Sequence, residues 1–303
     1  MTFRTIPVQI TGGSYQSESK PLSSQQTVNF YPKSTPLAKD QFVLFSFPGL
    51  KTLGSVTGID RGLHRMAESL YQVKGQKLFR IDKDGAHTDL GAIPGSDRCI
   101  MANDGINLFI VSASSGVYQY STSTNAITLV TDTNIVGAKS VAFINNQFIY
   151  TNDLFSIVSN VGDGSTANGL NIIGEESLPD NMVRDYIFDD IIYRCSERSI
   201  VSWYNSGVGN PPIERLQGRI FQVGLAAINS IARTDDALYW LGDDFSIYQS
   251  NSGAKLKIST DAISNEIQGY STVSDAIANV FTIDGINFYC ISFPSGGKTF
   301  VLN

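Results

Sequence analysis

Aromatic and β-branched residues recur along the chain in short apolar runs, and most runs follow a turn dipeptide such as Asp104-Gly105 or Asp284-Gly285. Such runs occupy residues 69–73, 107–111, 147–151, 191–195, 237–241 and 287–291. Their composition is typical of buried β-strands. The central residues are Tyr71, Phe109, Ile149, Tyr193, Tyr239 and Tyr289. These lie 38 to 50 residues apart, which is the spacing of propeller blades, so we expect them to pack between blades.

Further short apolar segments, separated by turn signals, divide each repeat into about four strands. Regularly spaced short strands favour antiparallel sheets over alternating strands and helices. One segment has a helical period instead: Ile263, Ile267 and Tyr270 fall at i, i+4 and i+7, with Thr260 as a possible cap and Gly269 as a possible end. The sequence therefore predicts an all-β fold, a β-propeller of about six four-stranded repeats with one short inserted helix.

The first 41 residues do not share the repeat and have a loop-like composition. We expect an extended N-terminal arm over residues 1–41 and the propeller domain over 42–303. An apolar island at 27–31 interrupts the arm, and Phe30 and Tyr31 would be costly to leave in water. Asn29, Phe30 and Tyr31 are therefore candidates for a partner-binding arm that docks on a neighbouring surface or adds a strand to a sheet edge. The alternative is a mobile leader.

The last repeat lacks an evident fourth strand. Either residues 42–47 close this blade, or the blade is incomplete because the sequence is a fragment and more chain follows. An unpaired strand edge promotes aggregation, which is why we expect one of the two to hold in the intact protein.

Composition and charge exclude several classes. The chain of 303 residues is 42% hydrophobic, which excludes wholesale disorder. Its net charge of −6 and scattered basic residues argue against a module that grips nucleic acid. No apolar stretch is long enough to span a membrane or to serve as an export signal. Cys99, Cys195 and Cys290 are odd in number and lack metal-site spacing, which predicts buried free thiols and folding in a reducing cytosol.

The sequence offers no convincing catalytic, cofactor-binding or metal-binding site. His64 and His87 are the two histidines, and neither accompanies a nucleophile motif. The acidic residues cluster at turns, where aspartate ordinarily caps the backbone. We therefore expect no enzyme activity and no cofactor. The alternative is a propeller that binds or degrades glycans, which would need carboxylates and aromatic rings converging on the central channel.

Several motifs occur in an order that covers most of the chain. They are TVNFYP at 27–32, LFSFPGL at 44–50, RGL at 61–63, LYQVKGQKLF at 70–79, WLGDD at 240–244, ISTDAI at 258–263, YSTVSDA at 270–276 and FYCISFP at 288–294. This ordered set resembles the packaged-DNA stabilisation proteins of short-tailed phages (podoviruses), also called tail-hub or head-completion proteins. It makes an interaction propeller of a host cell the less favoured interpretation.

The resemblance implies a structural virion protein with no enzymatic activity. It would form a homo-oligomeric ring of six copies below the portal and its adaptor protein, retain the packaged DNA, and present a platform for the tail needle and tailspikes. It would enclose double-stranded DNA without sequence-specific binding, and it would fold and assemble in the host bacterial cytoplasm before residing in the tail. Relatives typically continue beyond the position of Asn303.

Overall fold

The computed structural model describes residues 15–16, 24–25, 27–34, 42–174, 180–251 and 253–303. Two short hairpins come first: β1 (Tyr15–Gln16) pairs with β2 (Ser24–Gln25), and β3 (Phe30–Ser34) pairs with β4 (Phe42–Ser46). The following strands form six antiparallel sheets, which we call blades 1 to 6.

Within each blade the strands follow one another in chain order. Blade 1 comprises β5 (Asp60–Met66), β6 (Ser69–Lys74), β7 (Lys77–Ile81) and β8 (His87–Ala92); blade 2 comprises β9 (Cys99–Asn103), β10 (Asn107–Ser112), β11 (Gly116–Ser121) and β12 (Ala126–Leu129). Blade 3 comprises β13 (Ser140–Ile144), β14 (Gln147–Thr151), β15 (Ser156–Asn160) and β16 (Asp163–Ile173); blade 4 comprises β17 (Met182–Phe188), β18 (Ile191–Ser196), β19 (Ile200–Asn205) and β20 (Ile213–Phe221). Blade 5 comprises β21 (Ala232–Arg233), β22 (Leu238–Leu241), β23 (Ile247–Asn251) and β24 (Ala254–Lys257); blade 6 comprises β25 (Ile277–Ile283), β26 (Ile286–Phe293) and β27 (Lys298–Leu302).

The first strand of each blade lies nearest the centre of the molecule. β5 contacts β9, β9 contacts β13, β13 contacts β17, and β21 contacts β25. A parallel bridge between Asn229 and Ile277 joins the last two of these blades. This arrangement confirms the predicted six-bladed all-β propeller, with the first strands around a central channel.

Five apolar clusters fill the spaces between consecutive blades, from blades 1 and 2 to blades 5 and 6. All six central residues of the sequence repeat are buried in them. Tyr71 packs against Tyr120 of the next blade, and Tyr239 stacks on Tyr289 at a ring distance of 5.3 Å. The repeat is therefore the signature of inter-blade packing, as its spacing predicted.

Turn residues fix the register of the hairpins within the blades. Asn145-Asn146 and Asp189-Asp190 both have positive φ angles at two successive positions. That conformation gives the two-residue turn whose twist matches the flanking strands, and Asn and Asp tolerate it better than other non-glycine residues. The predicted turn dipeptide Asp284-Gly285 also has two positive φ angles and joins β25 to β26, so it is a hairpin turn of the same kind.

The inserted helix α1 spans Asp261–Gln268 and lies against blades 5 and 6. Thr260 caps its first turn by accepting a hydrogen bond from the Ile263 amide, and Gly269 ends it. Ile267 is fully buried in the apolar cluster there. The predicted helix and its cap are confirmed. In the described part of the chain, no helix is long and apolar enough to cross a membrane.

Blade 6 contains three strands among the described residues. Phe42–Ser46, the segment considered above for its fourth strand, is instead hydrogen-bonded to Phe30–Ser34. The pairing places Tyr31 opposite Phe45, so the two rings stack on one face of the hairpin. The boundary between arm and propeller at residue 41 remains a prediction.

Candidate partner-binding surface

The three residues predicted for partner binding lie at the start of the β3–β4 hairpin, and their environments differ. Asn29 is exposed at the bend before β3, where its carbonyl accepts a hydrogen bond from the Phe47 amide. Tyr31 is only 4% exposed, whereas Phe30 is 48% exposed. Neighbouring residues of a strand point to opposite faces, which explains the difference.

Tyr31 is buried against this chain's own sixth blade. Its ring lies 5.2 Å from that of Phe288 and 5.1 Å from that of Phe47. Phe47 in turn lies 5.3 Å from Phe288, which stacks on Phe281 at 5.4 Å. Aromatic pairs of this geometry each contribute about 0.5–1.5 kcal/mol beyond their buried area. This cluster holds the hairpin on the face of blade 6 that points away from blade 5.

One ion pair adds to the attachment. The Lys33 ammonium lies 3.2 Å from the Asp284 carboxylate in a turn of blade 6, and 5.5 Å from the centre of the Phe45 ring. Both charged groups are substantially exposed, and exposed pairs contribute less than about 1 kcal/mol. The aromatic cluster is therefore the main attachment.

Large apolar side chains remain exposed on and around the hairpin. We call this set the hairpin surface: Val28, Phe30, Val43, Phe45 and Leu50. Beside it, a groove of about 340 Å³ runs between the 27–30 segment, α1 and β27. Val43 and Phe45 lie on the face of the hairpin that carries Tyr31, and Phe30 lies on the other, so exposed apolar side chains occupy both faces. Exposed apolar surface of this kind is typical of interaction sites.

Sequence reasoning found Phe30 but did not identify Val43 and Phe45 as part of the same surface. A signal was present, because residues 42–47 are apolar except for Ser46, so a strand there would carry apolar side chains on both sides. Without the pairing of β3 with β4, however, nothing in the sequence indicates which side stays uncovered. Binding of a partner by Asn29, Phe30 and Tyr31 remains a prediction.

The central channel is the other concave region. Two adjoining cavities of about 590 Å³ and 270 Å³ occupy it, and both are lined by His64, Met101, Arg184 and Tyr186. Two carboxylate residues also line these cavities, and each contacts a cation. Asp60 lies 3.6 Å from Lys74, and Asp185 lies 3.5 Å from the buried Arg194 guanidinium. Glycoside hydrolysis uses two carboxyl groups that act directly on the substrate, whereas both of these carboxylates are paired with cations of the protein.

His64 is held in a neutral form within the channel. Its Nε2 accepts a hydrogen bond of 2.6 Å from the Asn103 amide, and burial lowers its pKa to about 4. Among residues 42–174, 180–251 and 253–303, no group of three His, Cys, Asp or Glu side chains is placed to hold a metal ion.

The three cysteines are free thiols, with Cys99 and Cys195 buried and Cys290 half-buried. Burial raises the pKa of Cys99 to about 11 and that of Cys195 further. Such thiols stay protonated at neutral pH and act as small apolar groups.

Comparison with solved structures adds information on the fold. Two crystal structures of the extracellular domain of BT4673 from B. thetaiotaomicron match with TM-scores of 0.54 and 0.53, at 14% sequence identity over 80% of this chain. The match covers 32% of each of those chains, so this chain spans about a third of their length. At this identity the likeness concerns the fold alone. Among curated proteins the comparison found no match.

Comparison with protein families is more specific. A family model described as "Bacteriophage P22 Gp10, beta-propeller" matches residues 4–303, which is nearly the whole sequence. The match therefore includes the arm and the hairpin as well as all six blades. The resemblance noted in the ordered motifs is thereby confirmed, and this chain belongs to the phage stabilisation family of beta-propeller proteins.

Proposed function

We propose that this protein is a tail-hub component that assembles as a ring of six copies below the portal and its adaptor. In that position it retains packaged DNA and provides the platform for tail needle and tailspikes. The observation that carries the proposal is the family match over residues 4–303. The protein acts by binding and shape and performs no catalysis.

The hairpin surface supports this proposal. A ring needs each copy to present an apolar surface to its neighbours or to the adaptor, and obligate interfaces of this kind are more apolar than ordinary surface. Phe30 and Phe45 are 48% and 40% exposed although they are large aromatic residues. Tyr31 and Phe47 fix the hairpin beneath them, so the exposed rings are presented on a rigid support.

The charge of the chain is consistent with a role beside DNA. A net charge of −6 repels the phosphate backbone at short range, so DNA can pass such a wall without being held. Retention would then depend on the closed ring rather than on binding of bases or phosphates.

The direct test is electron microscopy of purified protein mixed with portal–adaptor complexes. We expect an added ring of density with six-fold symmetry on the adaptor face. Absence of added density at micromolar protein, with a monomer in solution by light scattering, would contradict the proposal.

A further inference from the structure

Four arginines line the central channel, and three of them, besides Arg61, come from three different blades. Arg98 precedes β9 and lines the larger cavity, Arg233 ends β21 and lines the smaller one, and Arg184 of β17 lines both. None of the three has a carboxylate within 4.0 Å in the described ranges. In a chain with a net charge of −6, this is a local excess of positive charge.

The remaining charges at the channel are compensated. Arg61 is buried and donates to the carbonyls of Asp97 and Ile93, with the Asp97 carboxylate at 3.6 Å. Asp60 is paired with Lys74, and Asp185 with Arg194. Neutral His64 adds no charge. The channel therefore holds a net positive charge that comes from Arg98, Arg184 and Arg233.

Arg184 is fixed in a way that leaves one edge of its guanidinium unused. Its Nη1 donates to the Ile228 carbonyl at 3.0 Å, and its carbon centre lies 5.2 Å from the Tyr186 ring. Its Nε is buried and has no hydrogen-bond acceptor among the described residues. A buried donor without a partner is unfavourable, and the Nε edge is the one that binds carboxylate or phosphate oxygens in bidentate fashion.

Arg233 lines the same small cavity as Arg184 and Tyr186. Burial raises the pKa of Tyr186, and the charges of Arg184 and then Arg233 oppose that shift. Burial also lowers the pKa of Arg184, which means that its charge is incompletely stabilised by its surroundings. The smaller cavity, about 270 Å³, has room for a small anion between these groups.

We propose that the channel binds a small oxyanion, a phosphate or a carboxylate, between Arg184 and Arg233 beside Tyr186. The anion accepts hydrogen bonds from the Nε edge of Arg184 and charge-assisted contacts from Arg233. Low-dielectric walls such as Val141, Ala142 and Phe143 strengthen these interactions relative to bulk water. The proposal goes beyond the structural function and does not depend on it.

The test is calorimetric titration of the purified protein with inorganic phosphate at constant ionic strength in chloride. A parallel titration with citrate distinguishes phosphate from carboxylate as the preferred oxyanion. We expect saturable binding with about one site per chain, and at least tenfold weaker binding in Arg184→Gln and in Arg233→Gln. Arg233 is exposed, so its variant keeps the test valid if Arg184→Gln fails to fold.

Arg65→Gln is the matched control, because Arg65 lies on β5, is 71% exposed and does not line the channel. It removes the same charge and should bind phosphate as the unmodified protein does. Two results would overturn the proposal: no saturable binding of either anion, or equal binding by the Arg233→Gln and Arg65→Gln variants.

Discussion

The interface between blades 5 and 6 and the interface between blade 6 and the hairpin are both built from aromatic rings. They differ in how far the aromatic side chains are buried. Tyr239 and Tyr289 stack in the first, and both rings are buried. In the second, Tyr31 is buried while Phe30 and Phe45 on the same hairpin remain largely exposed. The difference indicates that the blade cores serve folding, whereas the hairpin leaves apolar surface available for assembly.

The largest expected effect is on a blade core. Phe109→Ala removes a fully buried ring whose centre lies 4.4 Å from that of Phe148 in the next blade. We expect the free energy of unfolding to fall by about 3–5 kcal/mol, because a cavity replaces a ring in close-packed surroundings. Denaturant unfolding followed by far-UV circular dichroism measures it. A loss below about 1 kcal/mol would mean that the inter-blade cores are not tightly packed.

Tyr31→Ala tests the attachment of the hairpin. It removes the ring that contacts Phe288 and Phe47, and we expect a loss of about 2–3 kcal/mol in the stability of this region. Hydrogen exchange should show lost protection in β3 and β4 with unchanged protection in blades 2 to 4. Equal loss of protection in all blades would show that the hairpin and the propeller unfold as one unit.

A change of pH should affect the stability of the propeller, in which His64 lies, and not that of the hairpin. His64 has a folded-state pKa of about 4 against an ordinary value of about 6.5, so the unfolded chain binds the proton first. Stability therefore falls as pH drops below about 6.5, by roughly 2 kcal/mol between pH 7 and pH 5. Denaturant unfolding of the protein and of His64→Asn at both pH values measures this contribution. An unchanged pH dependence in His64→Asn would contradict it.

The sequence predicted the elements that depend on local pattern. The strand repeat, the turn at Asp284-Gly285 and the capped helix all follow from residues close together in the chain. The contact of Tyr31 with Phe288 joins positions 257 apart in number, and no local pattern indicates it. The channel arginines were also missed, because Arg98, Arg184 and Arg233 occupy different positions in their repeats and share no period.

The smallest effect on stability is expected on the hairpin surface. Val28→Ser with Phe30→Ser replaces side chains that are 59% and 48% exposed and that lie outside the Tyr31 cluster. We expect the free energy of unfolding to change by less than about 1 kcal/mol, as is usual for surface substitutions. Leu154→Ser, at an exposed residue of blade 3, is the matched control. Thermal unfolding of all three proteins checks this; a large loss in the double variant would show that these residues belong to the core.

The most direct test of the central claim is the assembly state of the same three proteins with portal–adaptor complexes, measured by analytical ultracentrifugation. The unmodified protein and Leu154→Ser should sediment as a bound ring, while the Val28→Ser and Phe30→Ser double variant should remain a folded, unassembled chain. Assembly of the double variant at the same protein concentration as the unmodified protein would contradict the assignment of the hairpin surface to assembly.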